Sequence, residues 1–117
     1  MDRNVFKSRS VGAVLTAATD TVVYTCPNSY TSHIVLLFAS NLGSGNKTLT
    51  IQWRDSHAGV TYTIVGGYVL TAYNFLKLDG SYLTLNAGDT IIFNSEAGST
   101  VHATLTVEEY YDPTSQQ

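Results

Sequence analysis

Apolar and polar residues alternate with a period of two through most of this chain. Segment 47–54 places Leu49, Ile51 and Trp53 against Thr48, Thr50 and Gln52. Segment 101–108 sets Val101, Ala103, Leu105 and Val107 against His102, Thr104, Thr106 and Glu108, and Val60, Tyr62 and Ile64 alternate with Thr61 and Thr63. Successive side chains of a strand point to opposite faces, so each run predicts a half-buried antiparallel strand. Threonine suits the outer face, because its branched side chain fits the pleat while its hydroxyl stays hydrated. Trp53 and Tyr62 alternate inward and are expected in the core. Further strand-like runs fall at 13–15, 21–25, 33–39, 74–78, 81–85 and 89–93. Positions 34–38 are apolar throughout, which predicts a central strand covered on both sides.

Turn-forming residues separate these runs: Pro27-Asn28-Ser29, 41–46 with two glycines, Ala58-Gly59, Gly66-Gly67, Asp79-Gly80, 86–89 and Ala97-Gly98-Ser99. Both prolines, Pro27 and Pro113, fall in expected loops, and no helical apolar stripe exceeds about two turns. About eight short strands at roughly ten-residue spacing predict an all-β fold: an antiparallel β-sandwich, jelly-roll-like. An immunoglobulin-like sandwich is the second choice, without the Cys-Trp-Cys pattern that would support it. The expected organisation is an N-terminal arm at 1–10, a sandwich at 11–111 and a polar tail at 112–117.

Composition narrows the functional classes. A 117-residue chain buries roughly two-thirds of its unfolded surface, enough for one core without disulfides or metals. Only 13% of residues are charged, about half the usual share, so the surface rests on Thr, Ser, Asn and Gly. So thin a charge layer protects weakly against association, and a homo-oligomer is expected. The net charge of −3 argues against nucleic acid as a partner. The N-terminus is charged and lacks the apolar core of a signal peptide, and 34–39, the longest apolar run, is far short of a bilayer span, so no membrane is expected.

Little in the sequence points to catalysis. Cys26 reads as a small hydrophobe with no local histidine to activate it. His33, His57 and His102 are isolated, without the His-x-His pair of a cupin metal site, so no metal and no cofactor are expected. Asp79, Asp89 and Glu96 read as turn residues, Asp89 as an acceptor for backbone N–H groups of its own turn. Glu108 and Glu109 point to opposite faces, one of them placed to meet Arg54 or another base in a surface ion pair. Gly43-Ser44-Gly45 and Gly66-Gly67 precede no helix and cradle no phosphate. The eight tyrosines fit either a protein interface or a carbohydrate platform. The candidate interface residues are Arg3, Lys7 and Arg9 in the basic arm, with Tyr68, Tyr73, Tyr110 and Tyr111.

Several motifs carry a resemblance across about four-fifths of the chain. They are Val-Tyr-Thr-Cys-Pro (23–27), the Asn-x-Gly-Ser turn (41–44), the Thr-rich strand ending in Trp and a polar turn (48–55), the Leu-x-Leu segment leading to Gly88-Asp89 and Ile91, and the closing Val-x-Ala-x-Leu-x-Val-Glu-Glu strand. In these the chain resembles small bacteriophage virion structural proteins of the capsid decoration (cement) or tail and fibre-attachment class. The resemblance implies a non-enzymatic virion component made in the host cytoplasm, most specifically a decoration protein that stabilises the assembled head. It implies the major capsid protein or other virion proteins as partners and carries over no catalytic residue. Three-fold shell positions make a homotrimer the expected assembly, with the arm reaching an acidic neighbour. The alternatives are a small tail or fibre-attachment protein, or a carbohydrate-binding β-sandwich module.

Overall fold

A computed structural model describes residues 6–16, 19–96 and 100–115. Eight strands form in chain order: β1 (Phe6–Val14), β2 (Thr21–Thr25), β3 (Tyr30–Asn41), β4 (Lys47–Asp55), β5 (Val60–Leu70), β6 (Phe75–Leu85), β7 (Thr90–Ser95) and β8 (Val101–Tyr111). Among the described residues there is no helix, and so none long and apolar enough to cross a membrane.

One sheet runs β1-β8-β3-β6 and the other β2-β7-β4-β5, with every pairing antiparallel. The strands couple first with last: β1 with β8, β2 with β7, β3 with β6, β4 with β5. The chain is thus one long hairpin rolled so that its arms alternate between two layers, which is the jelly-roll arrangement. Only the β4–β5 turn joins neighbours of one sheet directly; Gly59 takes a φ of 68° there and donates its N–H to Asp55 O.

The alternation read from sequence drives the packing. Along β8 every second residue from Val101 to Glu109 is buried. Ile91, Phe93 and Ser95 do the same on β7, opposite Trp53, Ile51 and Leu49 of β4. Fully burying side chains of this kind stabilises by roughly 1.5–3 kcal/mol each. β3 lies inside its sheet between β8 and β6, as an apolar central strand should. Its outer residues Leu36 and Phe38 are nevertheless only half-buried, because no third layer lies over them; Phe38 is partly shielded by a stacked Phe75.

Two expected turns are bulges instead. Asp79-Gly80 lies within β6, and the β3–β6 register shifts between Ile34 and Leu36 to absorb the extra residues. Gly66-Gly67 lies within β5, with Gly67 at φ 67°. A glycine that reaches positive φ makes a bulge as readily as a turn, and local sequence does not separate the two. The first strand begins at Phe6, so 6–10 of the expected arm is sheet. Ser115 of the expected tail is buried: its hydroxyl accepts the Ala87 N–H and its carbonyl the Ser29 N–H.

Candidate assembly surface

The seven candidate interface residues fall into two regions. Arg3 lies outside the described residues. Lys7, Arg9, Tyr110 and Tyr111 gather where β1, β8 and the start of β3 run together, and Tyr68 and Tyr73 lie on and just after β5.

In the first region, the register places Lys7 opposite Glu109 and Arg9 opposite Val107, with their side chains toward the core side of β1. Glu109 is 1% exposed, yet it carries a carboxylate. Its Oε2 accepts the Tyr24 phenol and has the Arg9 guanidinium at 3.9 Å; its Oε1 has Lys7 Nζ at 3.8 Å, an ion-pair distance beyond hydrogen-bond range. The network extends from Tyr24 to the Ser32 hydroxyl at 2.6 Å and on to Cys26 Sγ at 3.3 Å. The two cations also lie over tyrosine rings, Lys7 over Tyr30 and Arg9 over Tyr24. Glu109 therefore meets Lys7 and Arg9 in a buried network, whereas the Arg54 expected as a partner donates to Thr61. Lys7 and Arg9 already have anionic company inside the chain, so their positive charge is partly neutralised before any neighbour arrives.

Burial, reinforced by the hydrogen bond to Glu109, pushes the Tyr24 phenol well above its ordinary range. Burial also raises the Cys26 thiol, which lowers its thiolate fraction and its reactivity. Tyr110 leans against His33, and Tyr111 meets Tyr30 edge to face.

The second region is its opposite. From 56 to 76 the chain contains no Asp, Glu, Lys or Arg. β5 is the outer strand of its sheet and, apart from Leu70 at its end, has no buried residue. Tyr62 and Tyr68 stand opposite Trp53 and Leu49, on the side that should face the core, yet they are 47% and 44% exposed. Tyr62 is therefore no core residue: it stacks on Trp53 at 5.1 Å with its other face open. Trp53 itself is only half-buried. Ile64 and Val69 are also exposed, and Tyr73, held at φ 57° by a bond from its N–H to Gly43 O, is 73% exposed. Val60, Tyr62, Ile64 and Val69 were absent from the candidates drawn from sequence. The signal for them was the uncharged stretch, which counts for more than any single tyrosine.

A third cluster lies in the loops at one end of the sandwich. Ligand atoms of Asp55, His57 and Asp89 lie within 4.8 Å of one another, a grouping that the spacing of the histidines did not reveal. Both carboxylates already serve their turns. Asp89, fully buried, accepts the Ser56 N–H and hydroxyl and the Asn86 N–H, as its position in a turn predicts. Asp55 accepts the N–H groups of His57 and Ala58. At the opposite end Asn41, equally buried, donates to Gly45 O and Leu70 O and accepts from Gly43 and Thr100. A Cβ at Gly43 would meet Thr100 Cγ2 at 2.8 Å, so this tight loop requires glycine. Glu96, another expected turn residue, accepts the Thr48 N–H.

No protein-family model matches the chain, and no curated protein does. Solved structures do. A subunit of the Bacillus endospore appendages, described as a family of disulfide-linked pili, is 18% identical, with a TM-score of 0.54 over 95% of this chain and 92% of that one. The acid-stable capsid structure of Helicobacter pylori bacteriophage KHP30 is 10% identical, with a TM-score of 0.54 over 95% and 90%. A pentameric capsid protein from metagenomic phage sequences is 16% identical, with a TM-score of 0.47 over 96% of this chain and 66% of that one. At these identities the likeness is one of fold: an all-β jelly roll whose structural neighbours include phage capsid and pilus proteins.

Proposed function

We propose that this chain is a non-enzymatic structural protein of a bacteriophage virion, and more specifically a capsid decoration protein that binds the assembled head and stabilises it. The observation that carries the reading is the uncharged, solvent-open β5 edge on a well-packed jelly roll. An apolar surface of this kind on a rigid scaffold suits a protein that is held by neighbours. The fold-level likeness to the KHP30 capsid structure supports the virion setting. The mechanism is linkage: a protein that binds only the assembled lattice lowers the free energy of that lattice and so opposes its rupture. The partner is the major capsid protein, and three copies around a shell axis are the arrangement that closed symmetry favours.

Purified heads test this directly. Mass spectrometry and electron microscopy of intact particles should find the chain in numbers matching lattice sites, and heads stripped of it should rupture at lower temperature. A few copies per particle would move it to the tail, and absence from particles together with a glycan-array signal would replace the reading with carbohydrate binding. A fibre subunit is a second reading, favoured by the equal TM-score of the endospore appendage subunit. Filaments formed by the purified chain would support it.

A further inference from the structure

We propose that β5 is a contact between copies of this chain, the β5 edge of one protomer lying against the β5 edge of another across a two-fold axis. This deepens the assembly reading above and rests on it only in so far as both describe a protein held by neighbours.

Three observations carry the proposal. First, the edge is unguarded. Natural sheets protect an outer strand with charge, with proline, or by keeping it short. β5 runs for 11 residues and contains neither charge nor proline; its pairing with β4 is interrupted at Gly66-Gly67 and again at Ile64, and these two irregularities are its only guards. Second, the other sheet edges are less suitable. β1 carries Lys7 and Arg9, and β6 carries the exposed Lys77–Asp79 pair at 3.3 Å. β2 is only five residues long, with a register shift between Val22 and Tyr24. Two-fold contact sets each patch against itself, so any net charge would repel its own copy. β5, without charge, is the edge on which self-contact has no such cost.

Third, the area is sufficient. Val60, Tyr62, Ile64, Tyr68, Val69 and Tyr73 are each between 39% and 73% exposed. Tyr62 and Tyr68 lie on the core side of the strand, opposite Trp53 and Leu49, and Val69 on the outer side, opposite exposed Thr48, so an edge-to-edge contact draws on both faces. Tyrosines contribute up to about 200 Å² apiece when fully covered, so the six together offer roughly 500 Å² of apolar side chain over the two faces. A standard interface covers roughly 800 Å² per partner, somewhat over half of it non-polar, so this patch supplies about the apolar share required. Exposed tyrosines held in place by ring stacking, as Tyr62 is on Trp53, lose little side-chain freedom on contact.

The test uses the full chain. Light scattering at micromolar concentration should give an even number of copies, two or, with the trimer, six. The Ile64→Lys, Val69→Lys double variant should have half the wild-type mass and a dissociation constant weakened by at least about tenfold, because two lysines then face their own copies. An unchanged far-UV spectrum and melting temperature at low concentration would show that the variant still folds. In case it does not fold, hydrogen exchange of the wild type provides a second reading, since β5 amides should gain protection as concentration rises. A single-copy wild type, a variant of unchanged mass, or β5 protection that appears only when phage heads are added would each overturn the proposal, the last by assigning the strand to a different partner. Binding to heads is measured separately. Wild type that pairs but ignores heads refutes the capsid-decoration reading alone, and a lone copy that decorates heads refutes this one alone.

Discussion

The two lateral edges of the sandwich solve the same problem in opposite ways. At one edge β1 and β2 close together across the layers, and a buried carboxylate draws Lys7, Arg9 and the Tyr24 phenol around it. At the other edge β5 leaves Tyr62 and Tyr68 facing open solvent on the side where core should be. At the first edge the basic side chains Lys7 and Arg9 are engaged internally by Glu109, and at the second a run of apolar side chains is left open. A polar network makes an edge specific and self-sufficient, whereas an uncovered apolar edge remains incomplete until something is laid on it.

Substitutions can break that contrast or sharpen it. The largest effect is expected from Glu109→Ala, which strands the Tyr24 hydroxyl and removes the shared anion of Lys7 and Arg9. Loss of a buried charge partner costs about 3 kcal/mol in urea unfolding, toward the lower end of the usual range because both cations are about half exposed. If Glu109→Ala proved neutral, the first edge would not depend on its carboxylate. Tyr24→Phe should cost about 2 kcal/mol, because the lost hydrogen bond is donated to a buried carboxylate.

The same tyrosine makes a pH prediction. Its folded form prefers the protonated phenol more than the unfolded chain does, whose ordinary value is 10.0. The stability this contributes is complete below that value and is lost progressively as pH rises above it. Unfolding free energy measured across the alkaline range should therefore fall for wild type and fall less steeply for Tyr24→Phe. Lys7→Ala and Arg9→Ala, taken singly, should each cost under about 1 kcal/mol, since the other cation remains and both heads are well exposed. Smallest of all, Val69→Lys should change the stability of the isolated protomer by no more than about 0.5 kcal/mol. A larger loss would mean that the β5 edge is already part of the packed interior.

How far the sequence reveals these edges depends on what each requires. The alternation in β4 and β8 identifies the inward side chains, and Leu49, Ile51, Leu105 and Val107 are all buried as it predicts. The Gly88-Asp89 step likewise reveals part of the acceptor role of Asp89, because the Asn86 N–H lies in its own turn, whereas the Ser56 donors come from a turn 33 residues away. Alternation says which face a residue takes but not whether another layer covers that face. Tyr62 alternates inward as Trp53 does and is still open, because covering it depends on the reach of the opposite sheet. The network around Glu109 is harder to read, since its partners Lys7 and Arg9 lie about a hundred residues away along the chain. The basic residues near the N-terminus read as a free arm for the same reason: nothing local shows that β8 is waiting for them. The three-residue cluster of Asp55, His57 and Asp89 also joins turns distant in sequence.

The sulfur chemistry of the chain sets a limit on how its copies can be joined. Its one thiol, Cys26, is 1% exposed, behind Ser32 and the backbone of Tyr30. A disulfide needs two sulfurs brought within bonding distance at a defined torsion, which a buried thiol cannot offer to a neighbour. The appendage subunits that share this fold are described as disulfide-linked. Any polymer of the present chain would be fastened without a disulfide through Cys26, so reductant should leave it intact where it would cut a sulfur-stitched filament.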